Sequence, residues 1–220
     1  MSAGSRRGVR LTACADIAAL MLRGRRLRLE RLVQDLITKK RLSRRFLEEV
    51  MIHLSLVLGF PHMLQGLEVI SGLASAPRGV ALENTGQKNL RRKGSRTFSR
   101  VYGAQSARVL RFLEALVPGM SGWILDNVYG RVYARPGLTL AEREVLTLVA
   151  LNAHGHTKQL VGHLRGALRS GLSSKELRSI LRRIDSRHGM AVGRAMVILD
   201  QLERGSSKRT TRKSAKKRAT

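Results

Sequence analysis

The stretch YGRVYARPGLTLAEREVLTLVAL, Tyr129 to Leu151, followed by QLVGHLRGALRSGLSSKELRSIL, Gln159 to Leu181, decides how the chain is read. In the first, Arg135-Pro136-Gly137 stops one helix. Thr139 with Glu142 then makes a Thr-x-x-Glu capping box that opens another, carried by Val145, Leu148, Val149 and Asn152. In the second, Ser173 with Glu176 repeats the device and opens a helix that ends near Gly189. A last helix is predicted from Met190 to about Leu202.

Upstream, Ala107 to Val117 is helical and is stopped by Pro118 and Gly119, and Trp123 to Tyr133 forms a further helix. Leu11 to Ser71 also reads as helices. Leu27, Leu29, Leu32, Val33, Leu36 and Ile37 recur at helical spacing, as do Phe46, Leu47, Val50, Met51 and Leu54, and Gly59-Phe60-Pro61 separates two of the helices. Residues 72–105 are rich in Gly, Ser, Arg and Lys and read as an exposed connector. No run alternates with strand period, so the fold class is all-α. An internal repeat supports this: Leu42 to Ile70 lies without gaps on Leu172 to Asp200, matching Leu47 to Leu177, Val50 to Ile180, Leu54 to Ile184 and Gly59 to Gly189.

Arg-Pro-Gly-Leu, then Arg-Glu before an apolar helix, then His-Leu-Arg-x-Ala-Leu-x-x-Gly-Leu, resembles the carboxymuconolactone decarboxylase family and its alkylhydroperoxidase D-like relatives. The resemblance implies a helical bundle built from repeated hairpins, usually assembled as a trimer or hexamer. It divides the chain into a degenerate N-terminal copy at 1–71, the connector at 72–105, a family domain at 106–203 and a basic tail at 204–220, expected to lack regular structure on its own. The peroxidase-type relatives carry a Glu, two cysteines in CxxC spacing and a His. That pattern falls on Glu144, His156, Gln159 and His163, so the acid and histidine are present and both thiols are replaced. Thiol peroxidase chemistry needs a reactive thiolate and a resolving sulfur, and is not expected here.

What the resemblance then implies is acid–base chemistry on a small lactone or carboxylate, with Glu144 as general base and His163 as general acid. Arg143 and Arg165 would hold a substrate carboxylate, beside His156 and Gln159. No cofactor is implied, and the histidines make too weak a ligand set for a metal. The helix from Ser179 to His188 departs from the family, with Arg182, Arg183, Asp185 and Arg187 where apolar residues are usual.

Composition adds a second reading, a non-catalytic scaffold that binds a polyanion. The formal net charge is +27 with a pI near 11.8, which favours nucleic acid or another anionic partner. The candidate phosphate contacts are Arg91, Arg92, Lys93, Lys208, Arg209, Arg212, Lys213, Lys216, Lys217 and Arg218. With 4% aromatics, base stacking is disfavoured. Cys14 is the only cysteine, so no intrachain disulfide forms. No apolar run is long enough to span a bilayer. A cytoplasmic location is expected, or an organelle matrix if the Arg-rich N-terminus is a transit segment.

Overall fold

The computed structural model describes residues 3–73 and 86–218, in which all the regular structure is helical, with no strand among them. The helices are α1 (Ala3–Leu22), α2 (Arg26–Thr38), α3 (Arg44–Leu58), α4 (Phe60–Leu73), α5 (Gln87–Tyr102) and α6 (Ser106–Leu116). They are followed by α7 (Met120–Ile124), α8 (Leu140–Ala153), α9 (Thr157–Arg169), α10 (Ser174–His188) and α11 (Gly193–Arg218). Between α7 and α8 the chain continues as a π-helical segment, Leu125–Tyr133. Both capping boxes form: the Thr139 and Ser173 hydroxyls accept from the backbone N–H of Glu142 and Glu176, whose carboxylates reach back to the cap N–H groups. No described helix is long and apolar enough to cross a membrane.

Helices α1–α4 and α8–α11 repeat one another. Arg44–Leu58 and Ser174–His188 have both ends 130 residues apart. The same offset sets the Ser43 cap on the Ser173 cap and Gly59 on Gly189, both glycines at positive φ. It also brings α2 and the C-terminal end of α1 within one residue of α9 and α8. The tandem arrangement thus extends beyond the segment legible as a repeat in the sequence. The two copies clasp: α1 packs along α8, α3 crosses onto α8, and α10 onto α1. Cys14, Ala15, Ile17, Ala18 and Ala19 of α1 are fully buried, and their small side chains let α1 lie close to α8. One apolar cluster runs through both copies. The Arg-rich N-terminal region is therefore a core helix from Leu11 onward, and removing it would expose that cluster.

Between the copies, α5 lies against the π-helical segment and α9. This corrects the expectation of an exposed connector for residues 87–105. Leu90, Phe98 and Val101 are buried, while Arg92, Lys93, Arg96 and Arg100 face water. The glycine that suggested a loop serves close approach instead: a Cβ on Gly94 would lie 2.8 Å from the Leu125 carbonyl carbon, and one on Gly130 would lie 2.6 Å from the Leu90 carbonyl oxygen. Residues 74–85 of the expected connector lie outside the described residues. The last helix runs on to Arg218, through the tail expected to lack regular structure. Ala, Lys and Arg favour helix, and extending a formed helix is far easier than starting one.

Candidate active site

The capping box at Thr139 fixes the start of α8, which then buries almost every side chain from Ala141 to Leu151. Glu144, one turn in, is fully buried, and its Oε2 lies 3.0 Å from His163 Nδ1 on α9. Gly166, one turn beyond His163, makes room for this carboxylate, since a Cβ there would sit 2.8 Å from Oε2. The other carboxylate oxygen, Oε1, is buried with no hydrogen-bond partner among the described residues. An unsatisfied buried carboxylate oxygen is costly to folding. His163 keeps a thin accessible edge, at 8% exposure.

Three tyrosines close the site from α5 and the π-helical segment. The Tyr102 ring stands edge-on to His163 with centroids 5.9 Å apart, and Tyr129 O–H donates to the Tyr102 oxygen at 3.3 Å. Tyr129 stacks on Tyr133 at 4.7 Å. Burial, reinforced by the nearby Glu144 charge, pushes all three phenols above their ordinary range, so they are neutral donors at physiological pH. Gly162 gives Tyr102 its place: a Cβ there would meet Tyr102 Cε1 at 3.3 Å. Arg169, one turn beyond Arg165, donates from Nε to Val101 O at 2.9 Å. Burial lowers its pKa and the Glu144 charge opposes that fall.

Residues 121–200 match the model of the carboxymuconolactone decarboxylase family. Over these residues the chain is similar to the carboxymuconolactone decarboxylase family. A curated relative, Peroxisomal protein 2 of Schizosaccharomyces pombe, is 25% identical over 136 residues, which is 60% of this chain and 64% of that protein. The chain thus spans less than two thirds of that relative's length. The match to the family takes in the π-helical segment with Tyr129 and Tyr133, both members of the acid–histidine pair, and α10. Helices α1–α4 and Tyr102 lie outside it.

Of the site residues expected from the sequence, Glu144 and His163 come together and the others do not join them. Arg143, expected as an open arm for a carboxylate, is fully buried on another side of α8. Its Nη2 donates to Arg135 O at 2.8 Å and lies 3.5 Å from Glu49, which Arg135 also grips through two nitrogens. Residues adjacent on a helix point in different directions, and a buried guanidinium is held where carboxylate and carbonyl neutralise it. Arg165, His156 and Gln159 face solvent, His156 as the residue that precedes α9. The equivalent positions in the first copy are Cys14 for Glu144 and Val33 for His163 at the 130-residue offset, so the pair exists in the second copy alone. Burial pushes the Cys14 thiol up, which removes its nucleophilic character.

The sequence reading missed a buried polar chain beside the pair. His53 of α3 meets Thr147 through Nε2 at 3.0 Å, and Thr147 meets the Tyr133 hydroxyl at 2.7 Å. Burial, with the charges of Arg143 and His163, holds the His53 pKa well below its usual range, so its imidazole is neutral. The charged face of α10 is explained by the first copy: Arg183 binds the buried Asp16 of α1 through both carboxylate oxygens, and His188 Nε2 lies 3.0 Å from the same group. Arg182 and Arg187 are exposed and do not enter the site. Two surface clefts of about 520 and 480 Å³ lie elsewhere, one beside Trp123 and Asp126, the other beside Arg6 and Arg10.

Among the candidate phosphate contacts, Arg91 is paired with Asp126, whereas Arg92 and Lys93 are exposed on α5. Lys208, Arg209, Arg212, Lys213, Lys216, Lys217 and Arg218 lie outside the residues whose side chains are described.

Proposed function

We propose that this protein moves protons on a small lactone or carboxylate, in the manner the carboxymuconolactone decarboxylase family suggests, with Glu144 and His163 as its acid–base pair. The observation that carries the reading is the 3.0 Å contact between them, with the second Glu144 oxygen buried and without a hydrogen-bond partner among the described residues. Folding gains nothing from that oxygen, whereas a substrate C–H or O–H could give its proton to it. His163 Nδ1 is held by Glu144, which leaves Nε2 as the second proton-transfer atom. Tyr102, whose oxygen already accepts from Tyr129, has its own proton to offer to a developing enolate oxygen.

In a decarboxylation the C–C bond breaks, CO2 leaves, its bonding pair stays on the substrate as an enolate, and His163 or Glu144 returns a proton to carbon. In place of Arg143 and Arg165, the substrate carboxylate would be met by Arg169, the exposed residue of α9 whose guanidinium donates to Val101 O. The test is proton exchange into deuterated water, followed by NMR over a panel of small lactones and keto acids. Turnover or exchange lost in His163→Ala and Tyr102→Phe supports the reading. Exchange unaltered by either change would overturn it.

A second reading rests on the exposed Arg92 and Lys93 and on a last helix that carries eight cations from Arg204 to Arg218. In that reading these groups bind nucleic-acid phosphate. Deleting 204–220 should then flatten the salt dependence of binding to a mixed RNA pool, and an unchanged slope would remove the tail from it. The relative's name supports an organelle over the cytoplasm, which imaging of the tagged full chain would decide.

A further inference from the structure

Helix α6 buries none of its residues, although its apolar side chains recur at helical spacing. Val109 and Leu110 rest partly on the cluster beneath α5. Phe112 and Leu116, one turn apart, point outward at 60% exposure each, with Val117 exposed just beyond them and Trp123 exposed at 59% on α7. The turn between α6 and α7 is pinned, because the Glu114 carboxylate accepts from Gly119 N at 2.7 Å and from Ser121 N and its hydroxyl. The four side chains are therefore held on a fixed hairpin. Arg108 sits one turn before Phe112 on the same ridge and Arg111 beside it, both exposed.

We propose that this hairpin docks on an anionic lipid surface, with Phe112, Leu116, Val117 and Trp123 entering the headgroup boundary and Arg108 and Arg111 on lipid phosphates. Charge selects the occupant. The chain carries 42 Lys and Arg against 15 Asp and Glu, and Arg108 and Arg111 stand exposed beside this apolar ridge, so an anionic bilayer attracts this face. Exposed Trp, Phe and Leu flanked by Arg are the composition of a helix that lies in the plane of a membrane interface. The apolar groups make the contact deeper than adsorption of a basic protein by charge alone.

Trp123 is the chain's only tryptophan, so its emission reports on this patch directly. The intact protein is titrated with phosphatidylcholine vesicles, with and without phosphatidylserine. The expected result is a blue shift and protection from acrylamide with the anionic vesicles only. Phe112→Ser combined with Leu116→Ser, at exposed positions, should weaken vesicle binding about tenfold or more. Binding without a change in Trp123 emission, released by salt and equal in the double variant, would assign the attraction to charge alone and overturn the proposal. So would an absence of binding. A patch already shielded from acrylamide in a dimer or larger assembly that the double variant dissociates would give it to a second copy instead.

Discussion

Replacing Gly94 by alanine separates two views of α5 by the sign of the effect. If residues 87–102 were an exposed helix or loop, adding a methyl group at a helical glycine would stabilise by about 1 kcal/mol. In the structure the new Cβ would stand 2.8 Å from the Leu125 carbonyl carbon, closer still to its oxygen, and 3.0 Å from Gly130 N. These are backbone atoms, which cannot swing aside as a side-chain end does. The two helices must part by roughly 1 Å, and a gap of that size forfeits about a quarter to a half of each contact's dispersion energy. The contacts at stake join Phe98 and Val101 to Leu125 and Tyr129. Overpacking of this kind costs about 1–3 kcal/mol or more. Because both clashes are with backbone, the cost is taken at the upper end, about 3 kcal/mol; less the helix-propensity gain of about 1 kcal/mol, the expected net loss is about 2 kcal/mol, or roughly 4–8 °C in melting temperature for a chain of this length. Gly8→Ala is the control: that exposed helical glycine has nothing within 4 Å of its Cβ position, and the change should stabilise slightly. Thermal unfolding followed by circular dichroism reads both. A Gly94→Ala protein as stable as the control would refute the close packing of α5 and, with it, the placement of Tyr102.

Three further outcomes are expected. His53 is buried and neutral, with a folded pKa below its unfolded value of about 6.5. The unfolded chain therefore binds the extra proton, and stability should fall as pH drops below that value by up to about 1.4 kcal/mol per pH unit. In urea titrations at successive pH values His53→Gln should flatten that slope, and an unchanged slope would contradict the neutral buried imidazole. Asp16→Asn should cost about 1–3 kcal/mol, because it loosens the grip of Arg183 and His188 on α1; a neutral result in urea unfolding would remove this contact from the account of how the copies clasp. Gly166→Ala should displace the Glu144 carboxylate and lower any proton-exchange rate at least tenfold while helix content is kept. A rate equal to wild type would show that the carboxylate is not held as tightly as the geometry implies.

The all-α fold was legible because its signals are local. Both capping boxes and the Gly59 and Gly189 stops are written in a few adjacent residues, and each forms as read. Glu144 and His163 were legible through family motifs, whose spacing survives in α8 and α9. What stayed hidden depended on partners distant in sequence. The Gly94 backbone approach needs Leu125 opposite it, and without that knowledge Gly with Arg and Lys reads as a loop. Arg143 looked like a substrate arm because its buried partners, Glu49 and Arg135, come from α3 and from the turn before α8. The arginines of α10 looked like damage to a family site until Asp16, on a helix 167 positions earlier in the chain, supplied the reason for Arg183. Tyr102 had no motif around it, and its role rests on where Gly162 allows α5 to lie.

Glu144→Gln, read at once for stability and for proton exchange, tests the central claim most directly. The exchange keeps the shape of the side chain and replaces the buried carboxylate whose Oε1 has no partner among the described residues. If Glu144 is held for chemistry, the melting temperature should stay level or rise while exchange or turnover falls about a hundredfold or more. A protein that melts several degrees lower, with proton transfer on the best substrate unaltered, would make Glu144 a structural partner of His163 and contradict the acid–base site.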